Sequence, residues 1–198
     1  MLGGIVRGRR VSLRPMRDDD LPGVSRWSAD LRVRRAHSAG YWAEPATLAT
    51  WKERLAEASK DHRSVLWAIE SDGALVGSAA VGMPDPAFSD IVDVRHLTID
   101  PERWRRGLGW DAALTVHRWI FDIAHVRIAA TRVPADAAGA LRIAERLGYT
   151  TFARGRRAYW HDGAHVDETR LRMELATWDE RFGESERDYE ALGPEAEA

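Results

Sequence analysis

The 198-residue sequence contains no cysteine. Disulfide bonds, thiolate metal sites and a cysteine nucleophile are therefore all excluded. A chain without thiols also fits a reducing compartment, so we expect a cytoplasmic protein. The seven histidines show no spacing that is typical of a metal site, and we predict that no metal is bound.

Long apolar runs are missing as well. No stretch approaches the roughly 20 apolar residues that span a bilayer, and the N-terminal segment MLGGIVRGRR lacks the apolar centre of a secretory signal. An excess of one charge is also absent, since 29 basic residues are balanced by 31 acidic ones. These absences predict a soluble protein that binds neither a membrane nor nucleic acid.

The composition suits one folded domain. Hydrophobic residues make up 44% of the sequence, which is enough for a sizeable core at this length. Charge is segregated along the chain, with a basic segment from Arg7 to Arg17 and mostly acidic residues from Asp179 onward. We therefore predict a single domain over residues 1–178 and a solvated acidic tail over residues 179–198.

Hydrophobic periodicity and turn residues predict the element order β α α β β β α β α β β. Helices are expected at Asp18 to about Ala29, Thr47 to about Lys60, Gly107 to about Ala124 and Asp136 to Leu147. Two Asp-Gly pairs, at Asp72 and Asp162, predict hairpins. The order indicates an α/β (α+β) domain with a mixed sheet and one strong crossover.

The most informative stretch runs from Ile91 to Trp110 and reads IVDVRHLTIDPERWRRGLGW. A predicted strand ends before Pro101, and a basic loop then leads directly into a helix. Backbone N–H groups at a helix start are unpaired and carry the positive end of the helix dipole, so they stabilise an anion. Glycines in this loop allow close approach of a ligand, and its arginines suit several phosphates. These residues are Gly107, Gly109, Arg103, Arg105 and Arg106.

The element order, with this loop after the fourth strand, resembles the GNAT acyltransferase superfamily. Its RimJ/RimL-type branch of ribosomal-protein N-terminal acetyltransferases often carries the loop Asp-Pro-Glu-x-Trp-Gly-Lys-Gly-x-Ala, which Asp100 to Gly109 follow. Arg10 to Met16 and the segment Ala140 to Tyr149 are similar to further segments of that branch. The resemblance covers roughly Val6 to Trp178 and implies a GNAT-type, mostly antiparallel seven-stranded sheet flanked by about four helices.

Three positions depart from the pattern of the branch. Arg105 replaces the first glycine of the loop. Ala137 stands where many relatives carry an asparagine that touches the cofactor, although the adjacent Asp136 can substitute. Ala144 stands where many relatives carry a tyrosine acid, so the proton donor to the departing thiolate is either another residue, such as Tyr159 or Tyr41, or water.

The resemblance also implies how the cofactor, acetyl-coenzyme A or another acyl-coenzyme A, is held. Its pantetheine arm pairs with the splayed end of the fourth strand at Leu97, Thr98 and Ile99, where a backbone N–H faces the acyl carbonyl. The pyrophosphate rests on the loop and on the first helical turn. The expected contacts there are Trp104, Arg105, Arg106, Gly107, Leu108, Gly109 and Trp110, with Asp136 and Ala137 beyond them.

A carboxylate near the start of this strand commonly removes the proton of the amine in the superfamily, and Asp93 falls at that place. Strand alternation puts Asp93 on the same face as Arg95 and Leu97, and His96 on the opposite face. A register error of one residue exchanges the two groups, so His96 is the alternative base. An ion pair between Asp93 and a nearby arginine is an equally open interpretation.

Recognition of the acceptor is expected from an irregular loop, Leu31 to Glu44, between the first two helices. Candidate substrate-binding residues in this loop and in the last hairpin are Arg34, His37, Tyr41, Trp42 and Tyr159. The branch resemblance favours acetyl transfer to the N-terminal amine of a protein or peptide. A small amine such as an amino-sugar antibiotic, a succinyl donor and a non-catalytic coenzyme A-binding module are the alternatives. Edge strands and exposed tryptophans are compatible with a homodimer.

Overall fold

The structure, a computed structural model, describes residues 3–36, 47–60, 63–82 and 90–183. Its strands are β1 (Val6–Arg7), β2 (Ser12–Pro15), β3 (Ser64–Ser71), β4 (Ala74–Gly82), β5 (Ile91–Ile99), β6 (Ile128–Pro134), β7 (Thr150–His161) and β8 (Ala164–Glu174). Its helices are α1 (Leu21–Ala29), α2 (Leu31–Ala36), α3 (Leu48–Lys60), α4 (Leu108–Arg118), α5 (Ala138–Leu147) and α6 (Leu175–Phe182). A π-helical turn over Trp119–Ile123 continues α4.

All the strands belong to one sheet, in the order β1-β2-β3-β4-β5-β6-β8-β7. Each neighbouring pair is antiparallel except β5 and β6, which are parallel and joined through α4. The predicted class, a mixed and mostly antiparallel α/β sheet, is confirmed. The described ranges hold eight strands and six helices, more than the seven and about four that we expected.

The additional elements are short or irregular in sequence. β1 has two residues and α2 has six, too few to show a hydrophobic period. For this reason the sequence pattern did not reveal α2, and residues 31–36, which we expected in a loop, are helical. The expected boundary between the domain and the tail, after Trp178, falls inside α6. The side chain of Trp178 is fully buried and holds this helix on the core.

The two faces of the sheet are covered by different helices. α4, α5 and α6 enclose the larger core, which contains Trp67, Trp119 and Trp178. α1 and α3 cover the opposite face at β3 and β4, around Leu21 and Trp51. None of the helices in the described ranges has the length and apolarity that a bilayer crossing requires.

A polar pair lies inside the larger core. His117 Nδ1 is 2.7 Å from the carbonyl oxygen of Ala113, and Nε2 is 2.7 Å from the hydroxyl oxygen of Tyr149. Because a carbonyl only accepts, Nδ1 carries the proton and Nε2 accepts from the hydroxyl. The rings of Phe121 and Trp178 lie beside the imidazole. Burial lowers the pKa of His117 to about 4, although the bond to Ala113 acts to raise it.

We expect the protein to lose stability as the pH falls from about 6.5 to about 4. The unfolded chain protonates this histidine near its ordinary pKa of about 6.5, whereas the folded chain keeps it neutral down to about 4. Protons therefore favour the unfolded state across that window, and stability is fully retained above it. At 1.36 kcal/mol per pH unit, the loss amounts to about 3 kcal/mol.

Urea unfolding at pH 7 and at pH 4 measures this loss. His117→Gln is the matched variant, because its amide oxygen can still accept from Tyr149 but does not titrate in this range. The variant should lose less stability on acidification than the wild type. Equal losses in the two proteins would show that His117 is not responsible.

Candidate active site

The sheet is split between β5 and β6. The two parallel strands pair only over their first three residues, from Ile91 with Ile128 to Asp93 with Ala130. Beyond Asp93, β5 continues along β4 while β6 continues along β8. In the described residues, the facing edges of β5 and β6 therefore have no strand between them, and a wedge-shaped opening separates them.

A β-bulge at Arg95 decides which side chains share a face of β5. Val81 and Ala80 are consecutive in β4 and pair with Val94 and His96 of β5. Arg95, between these two partners, is therefore the extra residue of the bulge. The bulge shifts the alternation by one position. Asp93 and His96 consequently lie on the same face, the one covered by α1 and α3, while Leu97 packs toward the larger core. The predicted separation of Asp93 from His96 is wrong.

The backbone groups of β5 that point into the split follow from its pairing. The N–H of Asp100 donates to the carbonyl of Val76 on the β4 side. Because successive residues of an antiparallel strand point to opposite edges, Thr98 also faces β4. Leu97 and Ile99 then present their N–H and C=O groups to the split.

Two carbonyl groups along this edge already accept hydrogen bonds. The indole of Trp104 donates to the Ile99 carbonyl at 2.8 Å, and the Thr131 hydroxyl donates to the Val94 carbonyl at 3.0 Å. The N–H and C=O of Leu97 and the N–H of Ile99 remain directed into the split. An extended ligand that carries amide groups matches this pattern, because it can pair as an added strand.

The end of β5 leads into the anion loop, which we define as residues 104–107. Two of its residues have left-handed backbone conformations, Arg105 with φ of +62° and Gly107 with φ of +80°. Glycine adopts this conformation freely, whereas a residue with a side chain does so at a cost of about 1–2 kcal/mol. The arginine that departs from the glycine-containing family loop therefore holds a glycine-like conformation.

The anion loop ends at the start of α4. Gly107 is the N-cap, and its carbonyl accepts the first helical bond, from the N–H of Asp111. The N–H groups of Leu108, Gly109 and Trp110 precede that bond and have no acceptor within the helix. Together with the positive end of the helix dipole, they form a cradle that fits a phosphate or diphosphate. Arg105 and Arg106 directly precede the N-cap, and both residues are exposed.

The two tryptophans beside the anion loop hold different elements together. Trp104 bonds to the last carbonyl of β5 while leaving 42% of its surface exposed. Trp110 packs against the larger core, and the Arg146 guanidinium of α5 lies over its ring at 3.8 Å. Trp104 thus ties the loop to β5, and Trp110 ties α4 to α5.

Sequence reasoning missed the contribution of the turn between β1 and β2. The carboxylate of Asp111 accepts from the N–H groups of Arg9, Arg10 and Val11, at 3.2, 2.7 and 2.9 Å. Arg10 also donates from Nη1 to the carbonyl of Arg106 at 2.6 Å. The partners are about a hundred residues apart in sequence, and only the basic character of the N-terminal segment pointed to this region.

Asp93 lies at the root of the split. Its strand neighbours are Gly82 on β4 and Ala130 on β6. The Arg95 guanidinium lies over Gly82, in the place that a Cβ would take, so the room beside the carboxylate is on the Ala130 side. Asp93 forms no ion pair with any residue in the described ranges. The alternative interpretation, an ion pair between Asp93 and a nearby arginine, therefore has no support among these residues. Burial, and then the carboxylate of Asp93, raise the pKa of Tyr149, which lies in the larger core.

His96 has neighbours that hold its ring. Its Nε2 lies 3.2 Å from the Ser78 hydroxyl, and the Trp51 ring of α3 meets it edge-on at 6.0 Å. The described residues contain no group of three or more histidine, aspartate or glutamate side chains that could hold a metal ion.

Asp136 connects the end of β6 with α2 and β7. Its oxygens lie 3.0 and 3.1 Å from His161 Nδ1, and Arg35 donates to it at 3.3 Å. Burial acts to raise the pKa of Asp136, but the bonds from His161 and Arg35 hold it below its usual value. The neighbouring Ala137 is the N-cap of α5 and packs on the larger core, as does Ala144.

The expected substrate-binding residues divide into two groups. His37, Tyr41 and Trp42 lie outside the described residues. Arg34 is buried on α2, and Tyr159 is buried on β7, where its hydroxyl donates to Glu168 at 3.0 Å. Burial and this neighbouring carboxylate raise the pKa of Tyr159 to about 12. Tyr159 is therefore a poor proton donor at neutral pH.

Comparison with known proteins gives a consistent pattern. A family model described as "Acetyltransferase (GNAT) domain" matches residues 10–150. The fold is similar to spermidine N-acetyltransferase from Vibrio cholerae in complex with CoA and spermine, with a TM-score of 0.76 and 14% identity over 85% of this chain and 98% of that chain. It is also similar to Mycobacterium smegmatis RimJ in complex with CoA-disulfide, with a TM-score of 0.71 and 18% identity over 91% and 93% of the two chains. No curated protein matches the chain in sequence.

Proposed function

The chain belongs to the GNAT acetyltransferase family, and from this membership we propose that it transfers an acetyl group to the N-terminal amine of a protein or peptide. The match confirms the family resemblance seen in the sequence, and it identifies the protein as an N-acetyltransferase that depends on acyl-coenzyme A. The acceptor and the roles of individual residues are our proposals. The residue roles rest on one observation, that the split between β5 and β6 opens beside an amide-lined helix start. The acceptor class rests on the family membership and on the charges beside the split.

The residues around the split fit acyl-coenzyme A. The diphosphate suits the amides of Leu108, Gly109 and Trp110, because they lack acceptors and lie at the positive end of α4. The amide-bearing pantetheine arm suits the N–H and C=O groups of Leu97 and the N–H of Ile99. When bound, the thioester supplies an acyl group that is activated toward an amine.

Within this arrangement, Leu97 and Asp93 have complementary roles. The N–H of Leu97 points into the split and can donate to an oxygen on which negative charge develops, without reorganisation at that moment. Asp93 removes the proton of the amine, because it lies at the root of the split beside Ala130 and forms no ion pair with the described residues. Positioned general bases contribute roughly 10²- to 10⁴-fold in rate.

The departing thiolate does not need a strong acid. A free thiol has an ordinary pKa of about 8.5, so water can return the proton near neutral pH. Tyr159 is disfavoured because its hydroxyl is bonded to Glu168 and its pKa is raised to about 12. We propose water as the proton source.

The charges beside the split favour an acceptor with little positive charge. On the face that carries Asp93, Arg132 of β6 lies directly opposite Arg170 of β8, and Arg172 follows two residues later. The acidic side chains there, Glu168 and Glu174, form ion pairs with Arg170 and Arg172. A polyamine such as the spermine bound by the Vibrio cholerae protein would meet repulsion from Arg132, the arginine of this set that these ion pairs do not offset. A peptide N-terminus would meet less repulsion, because it carries at most one positive charge and its ordinary pKa of about 7.7–8.0 leaves part of it neutral near pH 7.

Calorimetry and a mass-spectrometric screen test this function. We expect acetyl-coenzyme A to bind at micromolar concentration and to acetylate peptide N-termini faster than spermidine or an amino sugar, with succinyl-coenzyme A included as a second donor. Absence of binding at about 1 mM, the upper end of common KM values, would contradict the function. Faster acetylation of spermidine than of every peptide would contradict the acceptor class alone.

A further inference from the structure

The anion loop is held in a conformation that its own sequence does not favour. Arg105 and Gly107 both have positive φ, and Arg105 has a side chain that disfavours this geometry. A strained residue of this kind persists only where its surroundings impose the conformation. The contacts that hold the anion loop therefore matter for any ligand that binds to it.

Contacts at both ends and in the middle hold the loop. Trp104 ties its start to the last carbonyl of β5. Asp111, one turn into α4, ties its end to the turn between β1 and β2. Between the two left-handed residues, the carbonyl of Arg106 accepts from Arg10 Nη1 at 2.6 Å. A Cβ at position 107 would lie only 2.9 Å from the same nitrogen, so the guanidinium lies directly on the loop backbone.

Arg10 is itself anchored by its backbone. Its N–H donates to Asp111 Oδ2 at 2.7 Å. The main chain of Arg10 thus binds Asp111, which follows Gly107 in the chain, and its side chain binds Arg106, which precedes Gly107. Removing the Arg10 side chain leaves the backbone anchor in place. The contribution of the guanidinium can therefore be separated from that of the turn.

We propose that Arg10 is a positioning residue for coenzyme A, which holds the anion loop in its ligand-binding shape before the cofactor arrives. The proposal rests on the proposed function in placing the diphosphate at this loop. A preformed loop binds more tightly because less conformational entropy is lost on binding. Arg10→Ala should accordingly weaken coenzyme A binding by about tenfold, the effect expected from ordering one or two residues.

Limited trypsin digestion tests the loop without any cofactor. Arg105 and Arg106 are exposed trypsin sites, and cleavage there requires local opening of the loop. In Arg10→Ala, we expect fragments cut after Arg105 or Arg106 to accumulate several-fold faster, on the order of tenfold. Arg7→Ala, which removes an equal charge from the adjacent strand, should match the wild type. Equal cleavage in all three proteins would overturn the proposal.

A double-mutant cycle on coenzyme A affinity separates positioning from simple charge. Asparagine tolerates the left-handed conformation better than arginine, so Arg105→Asn should reduce the need for Arg10. We expect Arg10→Ala to cost about tenfold in Kd in the wild type and about twofold in Arg105→Asn. Equal losses in both backgrounds would mean that Arg10 acts by charge alone, and the proposal would fail. If the wild type does not bind coenzyme A, the proposed function fails, while the digestion still tests the loop.

Discussion

Asp93→Asn is expected to lower kcat by roughly 10²- to 10³-fold while changing the affinity for acetyl-coenzyme A little. The asparagine has nearly the same shape but cannot accept a proton from the amine. The substitution leaves the strand pairing with Gly82 and Ala130 intact, and it leaves the cofactor contacts proposed at Leu97 and α4 unchanged. The loss should therefore appear in turnover, measured with saturating donor and a peptide acceptor.

Two further variants make this result specific. Asp90→Asn removes an exposed carboxylate just before β5 that interacts only loosely with Arg127, at 3.8 Å, and it should retain wild-type turnover. His96→Gln tests the alternative base on the same face. If His96→Gln loses turnover and Asp93→Asn does not, the base is His96. The pH dependence of kcat/KM in the wild type should show the ionisation that the Asp93 variant loses.

Asp111→Ala is expected to lower the free energy of unfolding by about 4 kcal/mol. The buried carboxylate accepts from three backbone N–H groups of the turn between β1 and β2, and each donor left without an acceptor costs about 1–3 kcal/mol. Urea unfolding at pH 7 measures the change.

Asp111→Asn should lie between the wild type and the alanine variant, because its amide keeps one acceptor oxygen but not the second. Glu145→Ala, at an exposed position on α5, should change stability by less than about 0.5 kcal/mol, as is usual for surface substitutions. If Asp111→Ala were as stable as Glu145→Ala, the three amides would have to find other partners, and the structural role assigned to Asp111 would be wrong.

Local chemistry explains why part of the site was predictable. The order of strands and helices follows from hydrophobic period and Asp-Gly turns, which act over a few residues. The cradle at Leu108 to Trp110 follows from a strand that stops at Pro101 and a glycine that starts a helix. Even the departure at Arg105 was visible in the sequence, although its left-handed backbone was not.

The relation between Asp93 and His96 was not predictable in the same way. Alternation along a single strand separates them, but the bulge at Arg95 brings them to one face. A bulge depends on how β4 and β5 pair, and no local pattern in β5 encodes it. The predicted faces were wrong for this reason.

The sequence by itself determined the family, the mixed sheet and the helix start that suits a diphosphate, because each depends on residues that are close in the chain. Only the tertiary structure decided the face on which Asp93 lies, the backbone groups that Leu97 turns into the split, and the attachment of Arg10 and Asp111 across about a hundred residues. Those features depend on strand register and on long-range hydrogen bonds, which exist only once the whole sheet has formed.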